Sequence, residues 1–149
     1  MTHHLADAAA THAFGRQLAQ RLPPGSTLLL HGDLGAGKTC LVQGLAAGLG
    51  IREPITSPTF ALAQHYPQPD GAEGGALVHL DLYRLELAAA ADELFAQEEE
   101  EAQAMGALLA VEWPERLSVL PAGCWQIQLD LADPLEPAAG RRLTLIEPG

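Results

Sequence analysis

Apolar positions recur with two periods along this chain, and the change from one period to the other marks its elements. Ala10, Phe14, Leu18 and Leu22 repeat every fourth residue while Arg16, Gln17, Gln20 and Arg21 face elsewhere, which predicts an amphipathic helix capped by Asp7 and ended by Pro23-Pro24-Gly25. Ser26 to His31 is a short apolar run suited to a buried parallel strand, and Leu41, Val42, Leu45, Ala46 and Leu49 return to helical spacing, with Gly50 as a left-handed terminal cap. The first five residues carry no such pattern and are expected to be a frayed or extended start, with His3 and His4 as ordinary surface residues.

Further on, strands are predicted over Ala61 to Tyr66 and Ala76 to Asp81, paired antiparallel because the link between them is short. Leu85 to Met105 reads as a helix with Leu87, Ala91, Leu94, Phe95, Ala102 and Met105 on one face. Glu98-Glu99-Glu100-Glu101 reads as a solvated face, too charged to bury. Ala107 to Glu112 is another buried strand. Trp125 to Leu131 alternates strictly, as a half-exposed antiparallel strand does, and Arg141 to Glu147 is its expected hairpin partner. Strands alternating with helices over 149 residues predict one α/β domain covering residues 1–149, a three-layer fold with a mixed, mainly parallel central sheet.

The candidate chemistry sits between the first strand and the second helix. Gly32 to Thr39 reads Gly-Asp-Leu-Gly-Ala-Gly-Lys-Thr and fits the P-loop pattern G-x-x-x-x-G-K-[ST]. Its glycines let successive backbone N–H groups curl around phosphate oxygens, Lys38 brings a positive charge to the terminal phosphates, and Thr39 offers a hydroxyl to Mg²⁺. Lys38 is the only lysine in the chain. A guanine-specifying Asn/Thr-Lys-x-Asp motif is therefore impossible, and ATP is the expected nucleotide.

Two further apolar strands end in carboxylates, Asp81 and Glu112. Strand ends of this kind share the edge of an open α/β sheet where ligands bind, so the pair favours a Mg²⁺-nucleotide site. Asp81 has two jobs open to it, a place in the metal shell or the orientation of the attacking water. Arg84 is placed to pair with Asp81, with a phosphate, or in a plain surface salt bridge. Trp113 is placed to stack on a ligand, although a partly buried core tryptophan is the commoner outcome. Thr59 or Ser57, in a proline-broken loop after the second helix, is a candidate sensor of the terminal phosphate, with a polar turn as the alternative.

Composition trims the options. The net charge is −11, with 19 acidic residues against 8 basic ones, which opposes direct approach to a nucleic-acid backbone. If RNA is involved, a partner holds it. There is no long apolar run and no basic leader, so neither membrane insertion nor secretion is expected and the cytoplasm is the expected compartment. Cys40 and Cys124 have no metal-ligand spacing and read as reduced thiols.

Taken in order, Gly32 to Thr39, Ser57-Pro58-Thr59-Phe60, His79-Leu80-Asp81-Leu82-Tyr83-Arg84 and Val111-Glu112-Trp113-Pro114-Glu115-Arg116 resemble the successive motifs of the TsaE (YjeE) family of small bacterial ATPases. The chain departs from that family at Glu93-Leu94-Phe95, where Glu-Leu-Gly is usual, and in the four glutamates that follow. The resemblance implies that Gly35, Ala36, Gly37, Lys38, Thr39 and Cys40 bind ATP phosphates, that Thr39 and Glu112 hold Mg²⁺, and that Asp81 is required for hydrolysis. It also implies a complex with TsaB and TsaD, in which TsaD transfers a threonylcarbamoyl group to tRNA and a weak ATPase supports repeated turnover. The tRNA is then touched only through the complex. The alternatives are a small-molecule kinase and a nucleotide-gated binding module that does not hydrolyse.

Overall fold

The run Thr27–His31 is apolar on both faces and forms β2, a strand at the centre of the sheet with Leu28, Leu29 and Leu30 fully buried. The computed structural model describes residues 1–55, 62–69 and 75–149. Its elements in chain order are β1 (Thr2–Leu5), α1 (Ala8–Arg21), β2, α2 (Lys38–Gly48), β3 (Ala63–Tyr66), β4 (Leu77–Asp81), α3 (Ala88–Met105), β5 (Leu108–Glu112), β6 (Trp125–Leu131) and β7 (Arg141–Ile146). Two short 3-10 turns, Pro114–Arg116 and Pro137–Ala139, follow β5 and precede β7.

The sheet order is β1-β7-β6-β2-β5-β4-β3. β6, β2, β5 and β4 are parallel, whereas β3 pairs antiparallel with β4, β7 with β6 and β1 with β7. The expected mixed, mainly parallel three-layer arrangement is therefore the one observed. Leu28 and Leu30 pack with α1 and α2 residues such as Leu18, Leu41 and Leu45 on one face. Leu29, Val78, Leu80 and Val111 pack with Ala91, Phe95 and Ala102 of α3 on the other.

Several sequence expectations need correction. Thr2–Leu5 keeps the extended form expected of the start, but it pairs as an edge strand, with Thr2 opposite Thr144 and Leu5 opposite Arg141. Four residues are too few for a period-2 signal to stand out. β6 is antiparallel to β7 as expected, but its other edge lies parallel to β2, which inserts it into the sheet. α3 begins at Ala88, and Leu87 and Met105 are exposed rather than on its buried face. Glu98, assigned to a solvated face, is buried against the sheet edge.

α1 buries Thr11, Gly15, Leu18 and Ala19, a face turned from the one its large apolar residues suggest. Close approach to α2 explains the difference. A Cβ on Gly44 would lie 2.2 Å from the His12 carbonyl oxygen, and one on Gly15 2.4 Å from that of Leu41. Two helices crossing backbone to backbone leave no room there for a side chain. Asp7 caps α1 as expected, accepting a hydrogen bond from the Ala10 N–H at 2.8 Å. Gly50 takes the expected left-handed conformation after α2, at φ 81°.

Candidate functional site

β2 delivers the chain at the sheet edge into the Gly32 to Gly37 loop, and Lys38 starts α2. Gly37 is the N-cap of α2 in the left-handed region, φ 108°, a conformation that glycine adopts without strain. The loop therefore presents backbone N–H groups and a helix N-terminus together, an arrangement with positive potential that suits phosphate oxygens. Arg141 braces the loop from outside. Its Nε donates to the Ala36 carbonyl at 2.9 Å and its Nη2 to that of Gly35 at 3.3 Å, while Nη1 reaches the carbonyls of Pro137 and Gly140.

Alternation along β4 and β5 puts Asp81 and Glu112 on the α1/α2 face of the sheet, directly opposite one another in the parallel ladder. Each strand end reaches the same cleft, of about 350 Å³, which is lined by Gly35, Gly37, Lys38, Thr39, Asp81, Tyr83, Arg84, Glu112 and Trp113. Lys38, Thr39, Asp81 and Glu112 thus meet, as their strand and loop positions predict. Gly35 and Gly37 line this cleft as well, and Ala36, Gly37 and Cys40 line a second one on the far flank of the loop, beside the start of α1, Gly140 and Arg141. The candidate sensors Ser57 and Thr59 lie outside the described residues.

Lys38 is 5 % exposed; its Nζ donates to the Gly32 carbonyl at 2.6 Å and lies 4.0 Å from the centroid of the Trp113 ring. Burial lowers its pKa from the usual lysine value, against the opposing pull of Glu112, Glu115, Asp81 and Asp33. Trp113 is partly buried against the α3-side core, as expected, and also forms a wall of the cleft. It is the one non-glycine residue at positive φ (60°) among those described, a strained conformation that turns the chain from β5 into the Pro114–Arg116 turn. Its ring also contacts Tyr83 at 4.8 Å between centroids.

Asp81 accepts a hydrogen bond from the Tyr83 backbone N–H at 2.9 Å. Its pKa is raised from the usual aspartate value, first by burial and further by the nearby Glu112 charge; the Tyr83 N–H, His79 and Lys38 act the other way. Arg84 lines the cleft and is exposed, and among the described residues it makes no ion pair with Asp81 or any other carboxylate.

Sequence reasoning gave no role to His79, which stands two residues before Asp81 on the same face of β4. It is fully buried, and its Nε2 lies 2.5 Å from Oε2 of Glu112, itself almost fully buried. The other ring nitrogen, Nδ1, has no hydrogen-bond partner among the described residues. The imidazole that satisfies this arrangement carries its proton on Nε2 and donates it to the Glu112 carboxylate, leaving a bare Nδ1. A histidine inside an apolar strand, beside a strand-end carboxylate, was the available signal. Arg141 was missed as a brace because its targets are backbone carbonyls 105 and 106 residues away.

The chain matches the sequence model of the family described as threonylcarbamoyl adenosine biosynthesis protein TsaE over residues 5–138. The chain belongs to the TsaE family. It is 50% identical over 126 residues to the tRNA threonylcarbamoyladenosine biosynthesis protein TsaE of Synechocystis sp., covering 82% of this chain and 75% of that one. It is 43% identical over 130 residues to the TsaE of a Nostoc species, covering 87% and 77% respectively. Among solved structures, Bacillus subtilis YdiB superposes with a TM-score of 0.72 at 29% identity, over all of this chain and 86% of YdiB. The family role in tRNA threonylcarbamoyladenosine biosynthesis therefore applies to this chain. No helix among the described residues is long and apolar enough to cross a membrane.

Proposed function

We propose that this TsaE-family protein is a weak ATPase that binds Mg²⁺–ATP with the phosphates in the Gly35 to Cys40 loop and serves a tRNA-modifying complex with TsaB and TsaD. The observation that carries the reading is the juxtaposition of Asp81 and Glu112, opposite one another on β4 and β5, the second of which adjoins β2, and facing the loop that holds the chain's only lysine.

The donor set suits a hard dication. Thr39 offers a hydroxyl and Glu112 a carboxylate, and Asp81 stands beside them, so every candidate ligand is oxygen. Thr39 and Glu112 would hold Mg²⁺, which supplies charge neutralisation at the phosphates. Lys38 turns its ammonium from the Gly32 carbonyl to the terminal phosphate oxygens, a short reach from a preformed position. Trp113 limits water beside that ammonium.

The two carboxylates divide the work by their surroundings. Glu112 is fixed by His79 and stays an acceptor, as a metal ligand must. Asp81, whose carboxyl holds its proton more tightly than an ordinary aspartate, suits the group that accepts a hydrogen bond from the attacking water. A net charge of −11 fits an accessory role in which a partner, not this chain, holds the tRNA. Loss of the terminal phosphate, sensed at Ser57 or Thr59, then loosens the partner complex.

The test is ATP binding and phosphate release by wild type, Lys38→Ala, Asp81→Ala and Glu112→Ala, each with and without TsaB and TsaD. Lys38→Ala is expected to lose binding, Asp81→Ala to bind without turnover, and Glu112→Ala to need far more Mg²⁺ for any hydrolysis. Unchanged hydrolysis in all three would overturn the site assignment, and phosphorylation of an added acceptor would favour a kinase.

A further inference from the structure

On the opposite side of the sheet from the P-loop, the outer strand β3 meets the acidic run of α3. Alternation along β3 points His65 toward α3, where Glu98 and Glu101, one helical turn apart, reach back to it. The His65 Nε2 lies 2.6 Å from Glu98 Oε2 and 3.6 Å from Glu101 Oε2, and the three ligand atoms lie within 4.8 Å of one another.

Three features separate this trio from an ordinary solvated acidic patch. First, the side chains come from two elements, separated by more than thirty residues, so helical spacing alone does not bring them together. Second, the Glu98 side chain is only 8 % exposed although the run around it carries three more glutamates. A carboxylate buried to that degree needs a compensating positive group. Third, the imidazole is the one cationic or potentially cationic group paired with these glutamates among the described residues. His65 and Glu101 remain partly open, at 34 % and 51 %, which gives an ion an entry path and a position for water.

We propose that His65, Glu98 and Glu101 form a binding site for a borderline transition-metal dication, zinc first, that clips β3 to α3. One imidazole nitrogen and two carboxylate oxygens with an open fourth position match the donor types and count of a tetrahedral zinc site. The imidazole disfavours calcium and magnesium, which take oxygen ligands. The metal would supply the positive charge that balances the buried Glu98 carboxylate. This site is separate from the nucleotide cleft, since β3 presents His65 on the α3 side of the sheet while Asp81 and Glu112 face α1 and α2.

The experiment uses full-length protein without an affinity tag, titrated with zinc chloride alone by calorimetry and by competition with a chromophoric chelator. The thermal midpoint is followed in parallel, and cobalt(II) substitution is read by its visible spectrum. Wild type is expected to bind one equivalent at this site, to give the intense d–d bands of tetrahedral cobalt, and to melt roughly 5 °C higher at about a hundredfold excess over Kd. His65→Gln and Glu101→Gln, both at partly exposed positions, are expected to weaken that equivalent by about tenfold or more. Glu112→Gln, in the cleft, is expected to keep it. Equal zinc affinity in wild type, His65→Gln and Glu101→Gln overturns the proposal, as does a zinc equivalent lost only in Glu112→Gln. Absence of the tetrahedral cobalt spectrum also overturns it, in favour of an imidazolium–carboxylate cluster.

Discussion

His79 Nε2 stands 2.5 Å from Glu112 Oε2 in a fully buried pair that bridges two parallel strands. The contact sets both the direction of the carboxylate and the proton on the ring. Removing the donor leaves a buried carboxylate short of its partner, at a cost of about 1–3 kcal/mol. His79→Ala is therefore expected to lower stability by that order in urea unfolding. In the same variant, the Mg²⁺ concentration for half-maximal ATP hydrolysis is expected to rise by about tenfold or more, as when an outer partner of a metal ligand is lost. A Mg²⁺ titration of phosphate release checks it; an unchanged midpoint would show that Glu112 is oriented by other means.

Asp81 has a raised pKa because it is buried, with Glu112 adding to the effect. Its folded-state pKa lies above its unfolded one, so the folded protein binds the proton more tightly. The contribution to stability is favourable when Asp81 is protonated and is lost as pH rises from the unfolded value through the folded one. Asp81→Asn is expected to be more stable than wild type at neutral pH and to have lost hydrolysis. In wild type, the acidic limb of the hydrolysis rate is expected to fall above the usual aspartate value of about 4. Chemical unfolding at several pH values and a pH–rate profile measure the two effects.

Arg141 holds the glycine-rich loop by donating to the Ala36 and Gly35 carbonyls, and it touches the turn before β7 with the same guanidinium. Arg141→Ala is expected to weaken ATP binding by about tenfold, because a loosened cradle no longer presents its N–H groups in register. Arg141→Lys is expected to recover little of it, since an ammonium lacks the planar fork that reaches several carbonyls at once. Equilibrium binding of a labelled ATP analogue separates the three proteins.

Gly44 sits where a Cβ would meet the His12 carbonyl oxygen at 2.2 Å. Glycine to alanine inside a helix ordinarily gains up to about 1 kcal/mol. Here the sign reverses. Gly44→Ala is expected to destabilise by roughly 1–3 kcal/mol, the cost of forcing two packed helices apart, read as a lower urea midpoint with an unchanged slope.

Much of the architecture was legible because it is periodic and local. β2, β4 and β5 each announce themselves as short apolar runs, and two of them close with the carboxylates that line the cleft. Where burial depended on a partner element, the reading failed. The buried face of α1 is turned because Gly15 and Gly44 let backbones meet, a gain that no count of large apolar residues reports. Glu98 goes inside because His65 waits on β3.

By itself the sequence determined the glycine-rich loop, its single lysine, the strand ends at Asp81 and Glu112, and the family to which they belong. These are properties of neighbours in the chain, set by backbone freedom at glycine and by side-chain alternation along a strand. Only the tertiary structure decided that Asp81 and Glu112 stand opposite one another, that His79 holds Glu112, that Arg141 braces the loop, and that His65 meets Glu98. Those contacts depend on the order in which strands enter the sheet and on how closely helices cross. Hydrophobic period is blind to both, since it says which side of an element is buried and not what is buried against it.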